Sequence, residues 1–238
     1  MEYTSAVHSV VKKTPEADTI SQPNTLDNNI VRHYTRQDLG DVILAALGKA
    51  GRDVDNLNSD DLAPIDEFHV RGRKATLELA RDAGLGPEMH VLDVGSGVGG
   101  PSRCIAQKYG CRVTGIDLIE EYCQVAQMLA LRIGLSNLVT FRQGDACALP
   151  FPDAAFDVVW TQHAAINIPD KTTLYREMFR VLKNGGTLAI YDILAGSVSP
   201  IHFPVPWASR PEDSHLVTTE ELRPLLVKSG FVIESWKD

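Results

Sequence analysis

A run of glycines at residues 95–100 has the spacing of a turn that holds a nucleotide cofactor. Gly95, Gly97 and Gly100 satisfy the pattern G-x-G-x-x-G, directly after a short apolar run typical of a buried strand. Asp117 stands 22 residues after Gly95, at the end of the next strand-like run. In such sites a carboxylate there binds ribose hydroxyls. A glycine turn alone could serve packing only, but with the added acid it predicts a nucleoside-cofactor site.

A second acid, Asp93, indicates which cofactor this turn would hold. It lies two residues before Gly95, where its carboxylate would repel the pyrophosphate of a nicotinamide or flavin dinucleotide. It would suit S-adenosylmethionine, which carries an ammonium and a sulfonium there and has no phosphate. The alternative for Asp93 is an internal cap of the loop.

A third acid, Asp145, follows the next strand-like run within Gly144-Asp145-Ala146. Its carboxylate could accept a hydrogen bond from an adenine amino group, or it could simply close a turn. Asp93, Asp117 and Asp145 would then lie at the carboxyl ends of three successive strands. That is the edge at which open α/β sheets bind ligands.

The elements that must position these acids alternate along the chain. Apolar, β-rich runs predict strands at 89–94, 112–116, 138–142, 156–161, 187–193 and 231–236. Apolar residues spaced by three and four predict helices at 26–48, 75–83, 101–109, 119–133, 170–183 and 219–229. Strands and helices that alternate with short connections predict an α/β fold with a doubly wound, mostly parallel sheet.

Three stretches of different character divide the chain. Residues 1–24 are polar and aperiodic and are expected to be mobile, and residues 25–86 are expected to form a helical cap. Residues 87–238 would form the cofactor-binding α/β domain. Within it, residues 194–217 contain four prolines and have no clear periodicity. We call them the substrate loop, because a long irregular connection in a compact domain usually covers a binding site.

Length, charge and cysteine content limit the kinds of protein and of binding partner that the sequence allows. The 238 residues suffice for one large domain or two small ones, and a formal charge of −8 disfavours a nucleic-acid or anionic-membrane surface. The four cysteines show no zinc-like spacing, and the N-terminal residues lack a signal-peptide core. We therefore expect a cytoplasmic protein with reduced thiols, no metal, a small-molecule substrate and, as its candidate assembly, a homodimer.

Taken together, the motifs resemble those of class I S-adenosylmethionine-dependent methyltransferases. The resemblance runs from about residue 65 onward and rests on residues 91–100, 113–118, 144–146, 149–153, 156–160 and 180–186. Within the family the chain is most similar to small-molecule enzymes of the sarcosine/dimethylglycine and quinone-methylating type, through residues 68–76, 162–163 and 167–171. The resemblance implies methyl transfer from S-adenosylmethionine to a nitrogen, oxygen or carbon atom of a small molecule.

The resemblance also implies a role for each matching residue. The methionine part of S-adenosylmethionine would be lined by Gly95, Ser96 and Gly97 and approached by Gln162. The ribose would be held by Asp117. The adenine ring would pack on Leu118, and its edge would meet Asp145 and Ala146. Tyr34 on the first helix could close over the sulfonium, because aromatic faces attract cations. It could equally be a half-buried helix residue.

A general base is needed only if the acceptor arrives protonated. His163, just after the fourth predicted strand, is the first candidate because imidazole exchanges protons near neutral pH. Its alternative role is that of a hydrogen-bonded loop histidine. His69 and His202 are weaker candidates for the base, and they are expected to bind substrate instead. His202 and Trp207 could line a substrate pocket or pin the substrate loop.

Two rival functions and one structural expectation remain open at this stage. The chain could be a catalytically silent S-adenosylmethionine-binding module, or, less favoured by Asp93, a nicotinamide-dependent oxidoreductase. Members of the resembled family have a seventh strand that runs antiparallel beside the fifth, whereas only six strands can be counted here. The last strand is therefore expected to be missing, which leaves an edge for a partner or indicates a shortened chain.

Overall fold

The computed structural model describes residues 4–14, 38–66, 70–196 and 200–237. Its strands are β1 (Thr4–Lys13), β2 (His90–Val94), β3 (Arg112–Asp117), β4 (Val139–Gln143), β5 (Phe156–Gln162), β6 (Leu182–Ala195) and β7 (Phe231–Lys237). Its helices are α1 (Leu39–Lys49), α2 (Ser59–Asp66), α3 (Gly72–Asp82), α4 (Gly100–Tyr109), α5 (Glu120–Arg132), α6 (Lys171–Val181) and α7 (Thr219–Lys228).

All seven strands belong to one sheet with the order β4-β3-β2-β5-β6-β1-β7. The five strands from β4 to β6 pair in parallel, so their carboxyl ends meet at one edge. The order reverses between β2 and β5, next to the glycine turn. The predicted doubly wound, mostly parallel sheet is therefore confirmed, and its switch point coincides with the predicted site.

Helices cover both faces of the sheet. Side chains of α6 and α7 pack with one face in a core that includes Leu174, Met178 and Leu226. The opposite face packs against α3, α4 and α5, and α1 and α2 form an outer layer on α5. Among the described residues, no helix has both the length and the apolar character needed to cross a bilayer.

The N-terminal strand β1 corrects two expectations from the sequence. Residues 4–13 were expected to be mobile, and the sheet was expected to lack its seventh strand. Instead, β1 lies antiparallel between β6 and β7, with Val7 opposite Asp192 and Ser9 opposite Trp236. The strand from the start of the chain thus occupies the antiparallel position beside β6, the fifth of the predicted strands.

Both the apolar and the charged residues of β1 explain why it stays in the sheet. Val7 and Val11 have no exposed surface and join the core on one face, while Val10 joins the core on the other. At the end of the strand, the Lys13 ammonium donates to Phe179 O at 2.8 Å and to Leu182 O at 2.7 Å. Lys13 thereby caps the last turn of α6, where the helix dipole favours a cation.

The helices before β2 pack onto the α/β domain. Ala75, Leu79 and Ala80 of α3 are fully buried in the same core as β2, β5 and β6. The Arg103 guanidinium of α4 forms a buried ion pair with Asp66 at the end of α2. The first predicted helix is seen from Leu39 onward, and its predicted start at 26–37 lies outside the described residues.

Candidate functional site

The glycine turn after β2 is tied to the end of the neighbouring strand β3. The backbone N–H groups of Gly95 and Ser96 donate to Ile116 O at 2.8 and 3.0 Å. The N–H of Gly97 donates to Asp117 Oδ2 at 2.8 Å. The predicted pair of glycine turn and strand-end acid is therefore in direct contact, and this contact fixes the shape of the turn.

The three glycines of the motif have different surroundings. A Cβ at Gly95 would collide with the Cβ of Ala164, and one at Gly100 would collide with the backbone of Asp66. Gly97 has a φ of +53° and nothing within 4 Å of the place where a Cβ would be. Gly95 and Gly100 thus allow close packing of protein on protein, whereas Gly97 borders open space.

Asp117 keeps hydrogen-bonding capacity for a ligand. Its Oδ1 accepts from Ile119 N at 3.0 Å, and its Oδ2 accepts from Gly97 N. A carboxylate has about four lone-pair sites, so these backbone donors still leave room for a ribose hydroxyl. Burial raises the pKa of Asp117, while the backbone donors oppose that shift by favouring the charged form.

Asp93 has an internal partner that sequence reasoning missed. Its Oδ2 accepts a hydrogen bond of 2.5 Å from the Ser102 hydroxyl, and its side chain is 2% exposed. Burial raises the pKa of Asp93 to about 7, although the Ser102 hydrogen bond opposes the shift. The contact agrees with the internal-cap alternative for Asp93. The only signal in the sequence is a serine in the first turn of the helix after the glycines.

Gln162 is held in one orientation by two side chains that the sequence did not single out. The Trp160 indole N–H donates to Gln162 Oε1 at 3.0 Å, and the Thr76 hydroxyl donates to the same oxygen at 3.3 Å. Because an indole nitrogen can only donate, the amide oxygen must face Trp160. The Gln162 Nε2 group is left buried without a hydrogen-bond partner in the described part of the chain, as is Ser96 Oγ.

The predicted adenine-side residues lie next to Asp117. Gly144 N donates to Asp117 O at 2.9 Å, so the turn after β4 meets the end of β3. Asp145 Oδ1 accepts from Cys147 N at 2.8 Å, which is the turn-closing contact considered as its alternative. Leu118 and Ala146 are both half-buried.

His163 has a constrained position at the same edge of the sheet. Its φ is +53°, a left-handed value that is costly for a residue with a side chain. Its backbone N–H donates to Tyr191 O at 2.9 Å, and its ring stacks on Tyr191 with centroids 5.2 Å apart. These contacts hold the imidazole between β5 and β6, beside the start of the substrate loop.

The remaining predicted substrate residues are placed differently. His202 is exposed in the substrate loop. Trp207 is half-buried, and its indole N–H donates to Ser214 Oγ at 3.0 Å, a contact that pins the loop. Tyr34 and His69 lie outside the described residues, so their roles stay predictions.

These groups fit S-adenosylmethionine as a ligand. Gly97 borders space without protein atoms, and Asp117 beside it retains acceptor sites. Ser96 Oγ and Gln162 Nε2 supply buried polar atoms that lack protein partners in the described ranges. An unpaired buried donor is costly, so a ligand with a carboxylate and hydroxyls would satisfy groups that the fold leaves unpaired.

The chain matches known methyltransferases in sequence. Residues 92–190 match the methyltransferase domain family. The chain is 31% identical to the sarcosine/dimethylglycine N-methyltransferase of Halorhodospira halochloris over 170 residues, covering 71% of this chain and 60% of that protein. It is 43% identical to the sterol 24-C-methyltransferase ERG6B of Gibberella zeae over 116 residues, covering 49% and 30%. The matched stretches thus span between 30% and 60% of the length of these curated relatives.

The fold extends the likeness beyond the matched sequence. The crystal structure of the [4+2]-cyclase SpnF superposes with a TM-score of 0.67 at 25% identity, covering 88% of this chain and 73% of that one. The matched residues 92–190 include the glycine turn and the strand-end acids. The chain therefore carries a methyltransferase domain over residues 92–190, and in sequence and fold it is similar to the class I S-adenosylmethionine-dependent methyltransferases.

Proposed function

We propose that this chain transfers the methyl group of S-adenosylmethionine to nitrogen, oxygen or carbon of a small molecule. The observation that carries the proposal is the open space at Gly97, bordered by an Asp117 carboxylate that retains acceptor sites. When bound, the cofactor supplies a methyl group that its sulfonium makes electrophilic. The protein then has to align the acceptor and exclude water.

Each cofactor contact is assigned by the chemistry of the side chain. Asp117 would accept from the ribose hydroxyls, and Ser96 Oγ and Gln162 Nε2 would donate to the methionyl carboxylate. Leu118 would pack on the adenine ring, and Ala146 is small enough to leave room for it. Asp93 would act on the positive charge of the cofactor through its own negative charge and without direct contact, because its carboxylate is hydrogen-bonded to Ser102 inside the protein.

His163 is our candidate for a general base toward a protonated acceptor. The hydrogen bond from the His163 backbone N–H fixes its main chain, and the stacked Tyr191 ring limits movement of the imidazole. A fixed base loses less entropy on reaching the transition state. The proposal applies only to acceptors that lose a proton, such as ammonium or hydroxyl groups.

The acceptor class is proposed from the curated relatives. One is named for sarcosine and dimethylglycine and another for ajmaline, both N-methyltransferases, and a third for sterol carbon 24. We favour a small amine, because the sarcosine relative matches the largest part of this chain among these three. The likeness to a protein named as a cyclase favours, as the second candidate, a module that binds the cofactor without transferring its methyl group.

The proposal places the reaction in the cytoplasm, with no nucleic-acid or membrane partner. All four cysteine thiols are free, and a reducing compartment would keep them so. A homodimer is the assembly we propose, and sedimentation velocity of the purified chain would test it by its mass.

The test is a transfer assay with methyl-labelled S-adenosylmethionine, first with sarcosine and dimethylglycine and then with a metabolite extract. We expect a labelled small molecule that mass spectrometry identifies.

Asp117→Asn should weaken cofactor binding in calorimetry by about tenfold, whereas Asp153→Asn on the remote surface should not. His163→Ala should lower turnover most in the pH range where an imidazole is neutral and the acceptor is still protonated, and least at high pH, where the acceptor arrives deprotonated. Cofactor binding without any labelled product would favour the silent module.

A further inference from the structure

The substrate loop is held in place by side chains from a neighbouring segment. Between residues 200 and 217 the loop contains only one short 3-10 turn, Pro211–Asp213, among its described elements. Most of its backbone groups therefore cannot pair within a regular element. The segment that receives the loop is residues 163–171, which connects β5 to α6.

Asn167 joins two separate parts of the loop. Its side-chain amide donates to Trp207 O at 2.8 Å and to Asp213 O at 2.9 Å. An amide has two N–H groups, and here both are used on loop carbonyls. One residue earlier, Ile166 O accepts from His215 N at 2.7 Å. A second short 3-10 turn, Ala165–Asn167, therefore contacts the loop at three points.

Lys171 adds a buried charge to the same junction. Its side chain is 8% exposed, and its ammonium donates to Ala165 O at 2.7 Å, to His215 O at 2.7 Å and to Ile168 O. These acceptors use all three N–H groups of the ammonium. Asp192 supplies a further favourable charge effect from β6. A buried ammonium is costly unless it is fully paired, so the loop position that supplies His215 O is strongly preferred.

The same segment also touches the cofactor turn. Ala164 lies so close to Gly95 that a Cβ there would collide with it. His163, the proposed base, is the residue before it. The segment thus contacts the glycine turn with its first residues and the substrate loop with its last. A fixed loop is therefore a fixed wall beside the acceptor position.

We propose that Asn167 and Lys171 are positioning residues that anchor the substrate loop and thereby set the affinity for the acceptor, not for the cofactor. This inference rests on the proposed function in one respect: it takes the loop to be the wall of the acceptor site. The anchoring itself can be tested without turnover.

The variants are Asn167→Ala and Lys171→Met, which remove the donors and keep the apolar stem of the lysine. Matched controls are Asn184→Ala, at an exposed asparagine, and Lys183→Met, whose ion pair with Asp157 lies at the opposite edge of the sheet. Amide hydrogen exchange is measured for residues 200–217. The Kd for S-adenosylhomocysteine and the KM and kcat for sarcosine are measured on the same samples.

We expect exchange in residues 200–217 to accelerate by about tenfold or more in both variants, with unchanged protection in β2 and β3. The KM for sarcosine should rise by about fivefold while the Kd for S-adenosylhomocysteine stays within about twofold. The controls should match the wild type. If Lys171→Met fails to fold, Asn167→Ala decides the outcome alone.

Two results would overturn the inference. Unchanged exchange in the loop would refute the anchoring. Equal losses of sarcosine and S-adenosylhomocysteine affinity would show a general structural defect. If the wild type methylates no acceptor, the proposed function fails, and the exchange data still decide whether Asn167 and Lys171 anchor the loop.

Discussion

Gly97 and Gly134 have the same backbone requirement in two different settings. Both have a left-handed φ, +53° and +73°, and neither has an atom within 4 Å of a Cβ position. Gly134 follows α5 at the edge of the sheet opposite the cofactor turn, so it provides a matched control. Alanine at either position should cost about 1 kcal/mol in the free energy of unfolding, because of the left-handed backbone.

Only Gly97→Ala should weaken binding of S-adenosylmethionine, by about tenfold or more in calorimetry. The reason is that the added methyl group would enter the space assigned to the ligand. Gly134→Ala should bind like the wild type. Equal affinities in both variants would show that the cofactor does not occupy the space at Gly97.

Asp93 should make the stability of the protein depend on pH. Burial raises its pKa from 3.8 to about 7 in the folded state, so the unfolded chain releases this proton at a lower pH than the folded chain does. Between about pH 4 and pH 7 the folded state therefore binds more protons, and stability falls as pH rises. The slope in this window reaches up to about 1.4 kcal/mol per pH unit.

The measurement is urea unfolding of the wild type and of Asp93→Asn at about pH 5 and about pH 8. Asparagine keeps an oxygen to accept from Ser102, but it cannot ionise. The stability of the wild type relative to the variant should therefore decrease toward the higher pH. A constant difference between the two proteins would mean that Asp93 is already ionised at the lower pH.

At the scale of elements, β1 should contribute to global stability like an interior strand. Val11 has no exposed surface, whereas Val232 on β7 is 50% exposed. Val11→Ala should lower the free energy of unfolding by about 2 kcal/mol through lost burial and the cavity left behind. Val232→Ala should cost less than about 0.5 kcal/mol.

Urea denaturation of both variants measures this difference directly. Circular dichroism before unfolding checks that each variant retains its secondary structure. Similar, small losses for Val11→Ala and Val232→Ala would mean that β1 does not pack between β6 and β7 in solution.

The elements were predictable where local pattern and tertiary burial agree. The buried parallel strands are continuous apolar runs, and α7 begins at a complete capping box of Thr218 and Glu221. The strand β1 was missed because Ser9 and His8 interrupt its valines. Its burial depends on partners about two hundred residues away, which no local pattern contains.

The site was predictable in its backbone and less so in its side chains. The spacing of the glycines and of Asp117 reflects local turn geometry, and the structure brings these residues into contact. The contacts of Gln162 with Thr76 and of Asp93 with Ser102 depend on packing between separate elements, whereas Trp160 reaches Gln162 along the same strand. Sequence spacing carries no direct record of such contacts.

At the scale of the whole molecule, a ligand that binds only the folded state must raise its melting temperature. At a concentration about 100 times Kd, S-adenosylmethionine should add about 2.7 kcal/mol. For a chain of this size that corresponds to about 5–10 °C. NAD should give no shift, because the Asp93 carboxylate lies directly before the glycine turn at which the pyrophosphate of NAD would bind. A melting shift with NAD alone would support the oxidoreductase alternative.

The position of β1 has a consequence for how the polypeptide is made. Ser9 donates to Ser235 O, a partner 226 residues further along the chain, so a ribosome completes β1 long before its neighbours exist. Until then both edges of β1 are unpaired, and β7 can join the sheet only through β1. Non-local pairing of this kind slows folding and prolongs exposure of strand edges. Although β1 is made before β6 and β7, its edges are protected only after both of those strands have been made, and the newly made protein should depend on chaperones during that interval.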